Sequence, residues 1–326
     1  MCKPNIFQIA TEEFAQDGFI TWLLQWADIN TAQYNLDLHQ VAQDFVRLLL
    51  DKSPDFKIAK VEAGRKWAGV IDIWAKVNED ILIIIEDKTG SGQHSNQLSR
   101  YKEIAQKWCD ANNYQLVCIY LKTGTESNSS LEYVAKNEYG IVDRKILLNL
   151  FNKYQIQNEI YTDFVDRLKS IESSEQSFRT LQIKDWNWNS WIGLYQFLDN
   201  ELKITDWGYV ANPTGGFLGI WWHPLYWEEC QVYLQIEQNS LCFKIHVEDE
   251  DKSEKRNEWF LIIKNNAVSE GKTEIHKPER FGTGTWMTVA VVQRKDWLGA
   301  DEDFFDEKKV IDNLKEYEQF LNRCIE

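Results

Sequence analysis

Several common sequence features are missing from this chain of 326 residues. No apolar run is long enough to span a bilayer, and residues 1–5 lead into no signal-peptide core. The chain also has no internal repeat, no glycine-rich phosphate loop and no Ser/His/Asp motif. We therefore expect a globular protein without a membrane segment and without the usual nucleotide-binding loop or hydrolase triad.

Cysteine pairs are missing as well. The six cysteines are scattered and contain no Cys-x-x-Cys pair: Cys2, Cys109, Cys118, Cys230, Cys242 and Cys324. This pattern predicts free thiols in a reducing, cytoplasmic compartment and no structural zinc.

Positive charge is in short supply, with 36 Lys and Arg against 51 Asp and Glu and a formal net charge of −15. Neither half of the chain is basic as a whole. Proteins that bind nucleic acid are usually basic on the binding face, so composition alone gives no support for that function.

What the sequence does contain is a pair of neighbouring strands, residues 69–74 and 81–88, with a turn at 78–80. The second begins as an unbroken apolar run rich in β-branched residues, which predicts a strand buried at the centre of a sheet. It ends in Glu86-Asp87-Lys88. Charge at the end of a buried strand is costly unless it has a partner or a task.

Strand alternation groups these charges. Glu86 and Lys88 share one face, Asp87 points to the other, and Asp72 reaches the first face if the two strands pair. Two carboxylates at a sheet edge suit Mg²⁺, and a nearby lysine can orient water and offset charge on a phosphate. The alternative is an ion-pair network on the rim of a sheet.

This arrangement resembles a known family signature. Asp72 followed by Glu86-x-Lys88 is similar to the motif of the PD-(D/E)xK nuclease superfamily, although Ile71 stands where the family has proline. Residues 89–101, with Gln-Leu-x-x-Tyr at 97–101, resemble the segment after the signature in a branch of uncharacterised bacterial members. Residues 12–17 and 22–24 resemble the first helix of that branch, so the resemblance covers about the first half of the chain.

The resemblance implies roles for five residues. Asp72 and Glu86 would hold Mg²⁺, for which Mn²⁺ would substitute, and Glu13 would complete the metal shell or serve a second metal. Lys88 would position or activate the attacking water, and Gln97 would hold Lys88 or that water. The spacing, the predicted strands and the flanking segments all agree with a metal site rather than an ion-pair network.

Basic residues flank this motif. Arg65 and Lys66 lead into the Asp72 strand and Arg100 follows the Lys88 strand, so we predict that they contact phosphate. The alternative is a solvated surface. We expect His94 to be a surface residue, because Mg²⁺ does not favour imidazole.

The resemblance also implies the fold class, α/β (α+β). We predict a restriction-endonuclease-like core, a mixed β-sheet flanked by helices, in residues 1–172. The predicted elements are helices at 11–27, 36–50, 93–111 and two within 143–170, and strands at 57–62, 69–74, 81–88, 115–121 and an edge strand within 131–142.

Residues 171–177 have linker composition, so we predict a second domain at 178–326, an aromatic-rich α+β domain with an antiparallel sheet. Its predicted elements are helices at 185–202 and 306–325, strands at 217–222, 231–237, 241–247, 258–263 and 286–292, and a charged loop at 248–256.

The densest aromatic cluster of the chain lies in this second domain: Trp221, Trp222, His223, Tyr226 and Trp227. We expect it to form the core of an aromatic-rich sheet or an interface. Stacking on nucleic-acid bases is the alternative.

These observations predict a Mg²⁺-dependent nuclease whose partner is nucleic acid, with DNA favoured. Endonuclease activity and a role in defence against foreign DNA are predicted only by analogy with the superfamily. Two alternatives stay open. One is a non-catalytic or conditionally active binding or sensor module that uses the tryptophan-rich domain, and the other is a regulatory homodimer whose acidic surface mimics DNA.

Overall fold

A computed structural model describes residues 3–92, 96–212, 215–248 and 251–326 of the protein. The chain forms two compact units, the first from Met1–Thr125 with Ser130–Ser173 and the second from Glu126–Ser129 with Ser174–Glu326. The stretch with linker composition is largely helical, since one helix spans Glu159–Gln176. Within the described ranges, no helix is both long and apolar enough to cross a membrane.

The first unit is built on a mixed five-stranded sheet in the order β1-β2-β3-β4-β5. Its strands are β1 (Val61–Trp67), β2 (Ile71–Val77), β3 (Ile81–Lys88), β4 (Gln115–Lys122) and β5 (Gly140–Asp143). The first three strands pair antiparallel and the last three parallel. The predicted mixed sheet is confirmed.

Helices cover both faces of this sheet. They are α1 (Ile6–Ile9), α2 (Glu13–Gln25), α3 (Leu36–Leu49), α4 (Gln97–Asn112), α5 (Asn128–Lys136), α6 (Arg144–Phe151) and α7 (Glu159–Gln176). In β3 the odd-numbered isoleucines pack into a core with α2 and α3, whereas Leu82 and Ile84 pack into a core with α4. The prediction that this strand is buried on both faces is therefore confirmed.

Strand β1 differs from its prediction. The predicted strand at 57–62 has the wrong bounds, because the strand begins at Val61 and continues through Gly64 to Trp67. Gly64 pairs with Trp74 of β2, and a Cβ at position 64 would lie 2.8 Å from the Trp74 ring. The glycine leaves room for an indole on the neighbouring strand and does not end its own.

The second unit contains a six-stranded antiparallel sheet in the order β10-β11-β9-β8-β7-β6. Its elements are α8 (Trp188–Glu201), β6 (Ile204–Asn212), β7 (Gly215–Trp227), β8 (Cys230–Glu237), β9 (Ser240–His246), α9 (Lys252–Ser269), β10 (Ile275–His276), β11 (Trp286–Gln293), α10 (Arg294–Trp297) and α11 (Glu307–Ile325). One face of the sheet packs with α8, α9 and α11 into a single apolar core. The predicted α+β class with an antiparallel sheet is confirmed.

Helix α9 corrects a prediction. A strand at 258–263 after a loop at 248–256 is wrong, because the helix already begins at Lys252. Its buried residues Trp259, Ile263 and Ala267 recur every four positions, as on one face of a helix. A short apolar run does not distinguish a strand from a buried helix segment, and here the helical interpretation holds.

The aromatic cluster is divided between the two faces of β7, in which the register shifts between Trp222 and Leu225. Trp222 is buried in the core and Trp227 stacks on Trp259 with 5.2 Å between ring centroids. The predicted core role is confirmed for these two residues. Trp221 lies on the other face of the strand, and Tyr226 is exposed. The thiols of Cys109, Cys118, Cys242 and Cys324 are free and buried.

The close approach at Gly64 predicts an effect on stability. Gly64→Ala should lower the free energy of unfolding of the first unit by about 1–3 kcal/mol, because the Trp74 ring must shift. Urea unfolding followed by circular dichroism measures the change. The control is Gly18→Ala on the exposed side of α2, where a Cβ meets nothing within 4 Å and should stabilise by up to about 1 kcal/mol. Equal effects at the two glycines would contradict this account.

Candidate active site

Asp72, Glu86 and Lys88 converge where β3 ends. The ammonium of Lys88 lies 2.5 Å from Glu86 Oε1, and the two residues are only 5% and 1% exposed. Asp72 Oδ2 accepts a hydrogen bond of 3.3 Å from the backbone N–H of Asp87, so its carboxylate sits beside the same strand end. Its negative charge acts directly on Glu86. The structure thus brings together the three residues that alternation and pairing placed on one face.

Gln97 extends this cluster from the first turn of α4. Its Nε2 donates to Glu86 Oε1 at 2.7 Å and to the hydroxyl of Tyr101 at 3.2 Å. The sequence predicted that Gln97 holds Lys88 or a water, whereas the observed partner is the carboxylate of Glu86. Glu86 Oε1 therefore has two donors, Lys88 and Gln97, which fix its orientation.

The other oxygen of Glu86 is left for a further contact. Among the described residues, the buried Oε2 has no hydrogen-bond partner. Burial, followed by the negative charge of Asp72, raises the pKa of Glu86 to about 7, even though Lys88 acts to lower it. A divalent cation between the two carboxylates would offset both effects, so the pair fits a hard cation such as Mg²⁺.

Among the residues that the structure describes, this pair is not part of a larger ligand cluster. In the described part of the chain, no three His, Cys, Asp or Glu side chains are grouped so as to hold a metal. Mg²⁺ is commonly held by only one or two carboxylates and keeps several waters. Asp72 and Glu86 match that smaller requirement.

Glu13, the predicted third acidic residue, lies on the Lys88 side of the cluster. Its Oε2 is 3.9 Å from Lys88 Nζ, and its Oε1 accepts from the Ser91 hydroxyl at 2.6 Å and the Thr89 N–H at 3.4 Å. The side chain is therefore pinned to the loop that follows β3. A role for Glu13 as a metal ligand stays a prediction.

On the opposite face of β3, Asp87 is fully buried and meets residues of α2. Gln16 Nε2 donates to Asp87 Oδ1 at 2.6 Å, while Gln16 Oε1 accepts from the Thr123 hydroxyl at 2.6 Å. Burial, together with the charge of nearby Asp17, raises the pKa of Asp87 well above its ordinary value. This arrangement was not predicted, although Gln16 and Asp17 follow Glu13 by one helical turn and so face the same side of α2.

Strand β4 adds a second buried lysine that the sequence reasoning missed. Lys122 pairs in register with Lys88 and is buried, and its ammonium donates to the Ser91 carbonyl at 2.5 Å. The carboxyl ends of parallel strands meet at one edge of a sheet. The available signal was therefore the position of Lys122 at the end of the strand predicted to follow β3.

The predicted phosphate-binding residues lie in different surroundings. Arg65 Nη2 is 2.5 Å from Asp17 Oδ2, and its guanidinium lies 3.7 Å from the centre of the Phe14 ring. Lys66 is exposed, and its Nζ is 3.0 Å from Asp72 Oδ1. Arg100 is exposed on α4. Only Lys66 contacts the carboxylate pair, and phosphate binding by all three stays a prediction.

His94, expected at the surface, lies outside the described residues.

Comparison with known proteins supplies the family. A family model described as the PD-(D/E)XK nuclease superfamily matches residues 4–204, which is more than half of the chain. The chain belongs to the PD-(D/E)XK nuclease superfamily. The match extends beyond the first unit, past α8 to the first residue of β6, further than the motif resemblance reached. Searches of curated proteins and of solved structures find no significant match.

Membership supports nuclease activity at a coarse level, because members of the superfamily are generally nucleases that use divalent metal ions.

The raised pKa of Glu86 predicts that Mg²⁺ affinity depends on pH. A proton on Glu86 competes with the cation, so binding should tighten as pH rises through the pKa of about 7. The ionised fraction of such a group grows about tenfold between pH 6 and pH 8, and the Kd for Mg²⁺ should fall by a similar factor. Calorimetric titration of the protein with MgCl₂ measures this.

Two variants test whether the pH-dependent Mg²⁺ binding occurs at the carboxylate pair. Asp72→Asn should abolish most of the binding, whereas Glu62→Gln, at an exposed position of β1, should leave it unchanged. An affinity that is the same at pH 6 and pH 8 would contradict the role given to Glu86.

Proposed function

We propose that this protein is a Mg²⁺-dependent nuclease that hydrolyses phosphodiester bonds in nucleic acid. The observation that carries the proposal is the buried group of Asp72, Glu86 and Lys88 at the end of β3, in a chain of this superfamily. A purely structural ion-pair network would add little to the stability of the fold here, because removing each ion from water costs on the order of several kcal/mol.

In this proposal Asp72 and Glu86 hold the metal, and Mn²⁺ replaces Mg²⁺ because it accepts the same oxygen ligands. When bound, the ion supplies positive charge that polarises a phosphoryl oxygen. Gln97 and Lys88 hold Glu86 Oε1, so that Oε2 is presented in a fixed direction. Glu13 is proposed to complete the metal shell or to steady Lys88, which is 3.9 Å away.

Lys88 is proposed to act as a cation and hydrogen-bond donor. Burial acts to lower its pKa, but the hydrogen bond and charge of Glu86 outweigh this, and the pKa is raised. The side chain is therefore an ammonium at neutral pH. An ammonium orients the attacking water and stabilises negative charge that develops on the phosphate, which favours positioning over proton abstraction.

The exposed basic side chains near the site are the proposed phosphate contacts. Lys66 is exposed and already beside Asp72, so it is proposed to contact the scissile region of the strand, and exposed Arg100 is proposed to contact phosphates further along. Arg65 is engaged with buried Asp17, so a phosphate contact there would require it to share its guanidinium.

DNA as the substrate, endonucleolytic cleavage, a defence role and a cytoplasmic location are proposed from the usual activity of the superfamily and from the cysteine pattern of the sequence. The alternative of a non-catalytic binding module is less favoured, because the orientation of Glu86 by two donors is of use mainly to a metal site.

Cleavage assays test the proposal. The wild-type protein should cut at least one member of a panel of single- and double-stranded DNA and RNA with Mg²⁺ or Mn²⁺, and EDTA should stop it. Asp72→Asn and Lys88→Met should each lower the rate at least about 100-fold, because each removes charge that acts in the transition state. Lys145→Met, at an exposed position of α6, is the control and should keep the wild-type rate.

Either of two results would sink this proposal: no cleavage of any substrate with either metal, or full cleavage by Lys88→Met. Circular dichroism of each variant separates lost catalysis from lost folding.

Gln97 should behave as a positioning residue. Gln97→Leu should weaken Mg²⁺ binding and slow cleavage about 10- to 100-fold, the usual effect of losing a group that orients a metal ligand. Gln106→Leu, on the exposed side of the same helix, is the matched control. A cleavage defect with unchanged Mg²⁺ affinity would contradict a role through Glu86.

A further inference from the structure

The antiparallel sheet of the second unit has two unlike faces. Residues that point one way along β7, β8, β9 and β11 form the apolar core with the helices. On the other face, strand pairing places Trp221 beside Gln235, and Tyr233 beside Lys244, which in turn neighbours Thr288. This second face carries aromatic and polar side chains together.

A cavity of about 880 Å³ opens on this second face. Such a volume lies within the range of sites for small molecules, roughly 300–1,000 Å³. Its lining falls into three parts: aromatic walls, a polar floor and a rim with one arginine.

The floor is a connected polar group. Lys244 Nζ lies 3.1 Å from Glu237 Oε1 and 3.0 Å from the Thr288 hydroxyl, and Gln235 Nε2 donates to Glu237 Oε1 at 2.8 Å. Gln235 and Lys244 are only 6% and 8% exposed. Because Glu237 balances Lys244, the floor is neutral overall while offering both donors and acceptors. An aliphatic ligand would bury these groups without new partners, at a cost for each of them.

The walls provide flat surfaces. Phe217, Trp221, Tyr233 and Trp286 line the cavity. Trp286 is held in place by two neighbouring rings. It stacks on His246 with 3.7 Å between ring centroids, and it meets Tyr233 edge-on with 5.8 Å between ring centroids. Aromatic side chains held in this way favour a planar ring as the occupant.

The rim is held by helix α9. Arg256 Nη1 donates to the Gly282 carbonyl at 2.6 Å, and its guanidinium lies 4.5 Å from the centre of the Phe281 ring. The neighbouring Arg280 is exposed at the edge of the cavity. An arginine in this position can pair with a phosphate through two parallel N–H groups.

We propose that this cavity binds a nucleotide. The base stacks against Trp221 and the other aromatic walls, its polar edge meets Gln235 and Lys244, and its phosphate reaches Arg280. The ligand is either a free nucleotide or one nucleotide of a single strand, because both present the same base and phosphate. The inference does not rest on the proposed nuclease activity, since every residue it uses lies in the second unit.

Calorimetry in EDTA tests the proposal without cleavage. The protein is titrated with AMP, GMP, CMP and UMP, with the corresponding nucleosides and with a mixed-sequence single-stranded DNA 12-mer. We expect at least one nucleotide or the 12-mer to bind. Trp221→Ala should raise its Kd about fivefold or more, the loss expected for one base stacked on an aromatic ring.

Further variants locate the contacts. Trp221→Phe keeps an aromatic ring and should lose less affinity than Trp221→Ala. A graded loss of this kind indicates lost stacking rather than a folding defect. Arg280→Ala should weaken binding of the nucleotide but not of its nucleoside. Trp188→Ala removes an exposed tryptophan of the same unit that does not line the cavity, so it should bind like the wild type.

The same titrations distinguish the two sources. A mononucleotide that binds as tightly as the 12-mer indicates a free nucleotide, and binding of the 12-mer alone indicates a strand; Trp221 dependence in either case supports the proposal. Failure of all nucleotides and of the 12-mer to bind would overturn it. Binding that is indifferent to Trp221→Ala would do the same.

Discussion

The burial of charge at the end of β3 is the constraint on which the first unit depends. Glu86, Asp87 and Lys88 continue a strand whose apolar part belongs to cores on both faces of the sheet. All three residues are buried together with the isoleucines that precede them. Each charged group must therefore find a partner inside the protein or pay a desolvation cost of several kcal/mol.

The elements around β3 supply those partners from opposite sides. Helix α4 brings Gln97 to Glu86, and helix α2 brings Gln16 to Asp87. Even so, within the described residues one oxygen of each carboxylate has no donor. A network selected for stability alone would be expected to satisfy these atoms. At Glu86, which lies beside Asp72, the unpaired oxygen supports the proposed cation site, and the family match agrees with that proposal.

Local sequence patterns were sufficient for the centre of this site. A continuous apolar run predicted β3, and the period of two in a strand separated Asp87 from Glu86 and Lys88. Gln16 and Lys122 were missed because their roles arise from tertiary packing: α2 must dock under β3, and β4 must pair in register with it. No periodicity within either segment carries that information.

The same limit explains the errors in secondary structure. Gly64 looks like a strand terminator until Trp74 is known to lie across from it, 2.8 Å from the place of a Cβ. The apolar run at 258–263 fits a strand by composition, and only burial against the sheet shows that Trp259, Ile263 and Ala267 form the inner face of α9. In both cases the deciding neighbour is distant in sequence.

The two sheets place polar groups in contrasting environments, and the contrast bears on what each can do. At the end of β3, burial and then the negative charge of neighbouring Asp72 raise the pKa of Glu86. On the open face of the second sheet, Lys244 is matched by Glu237, and Thr288 accepts a further N–H. Two neighbouring carboxylates attract a cation, which can act on a reacting phosphate, whereas a balanced floor selects a neutral base by the direction of its hydrogen bonds. The first arrangement is suited to chemistry and the second to recognition.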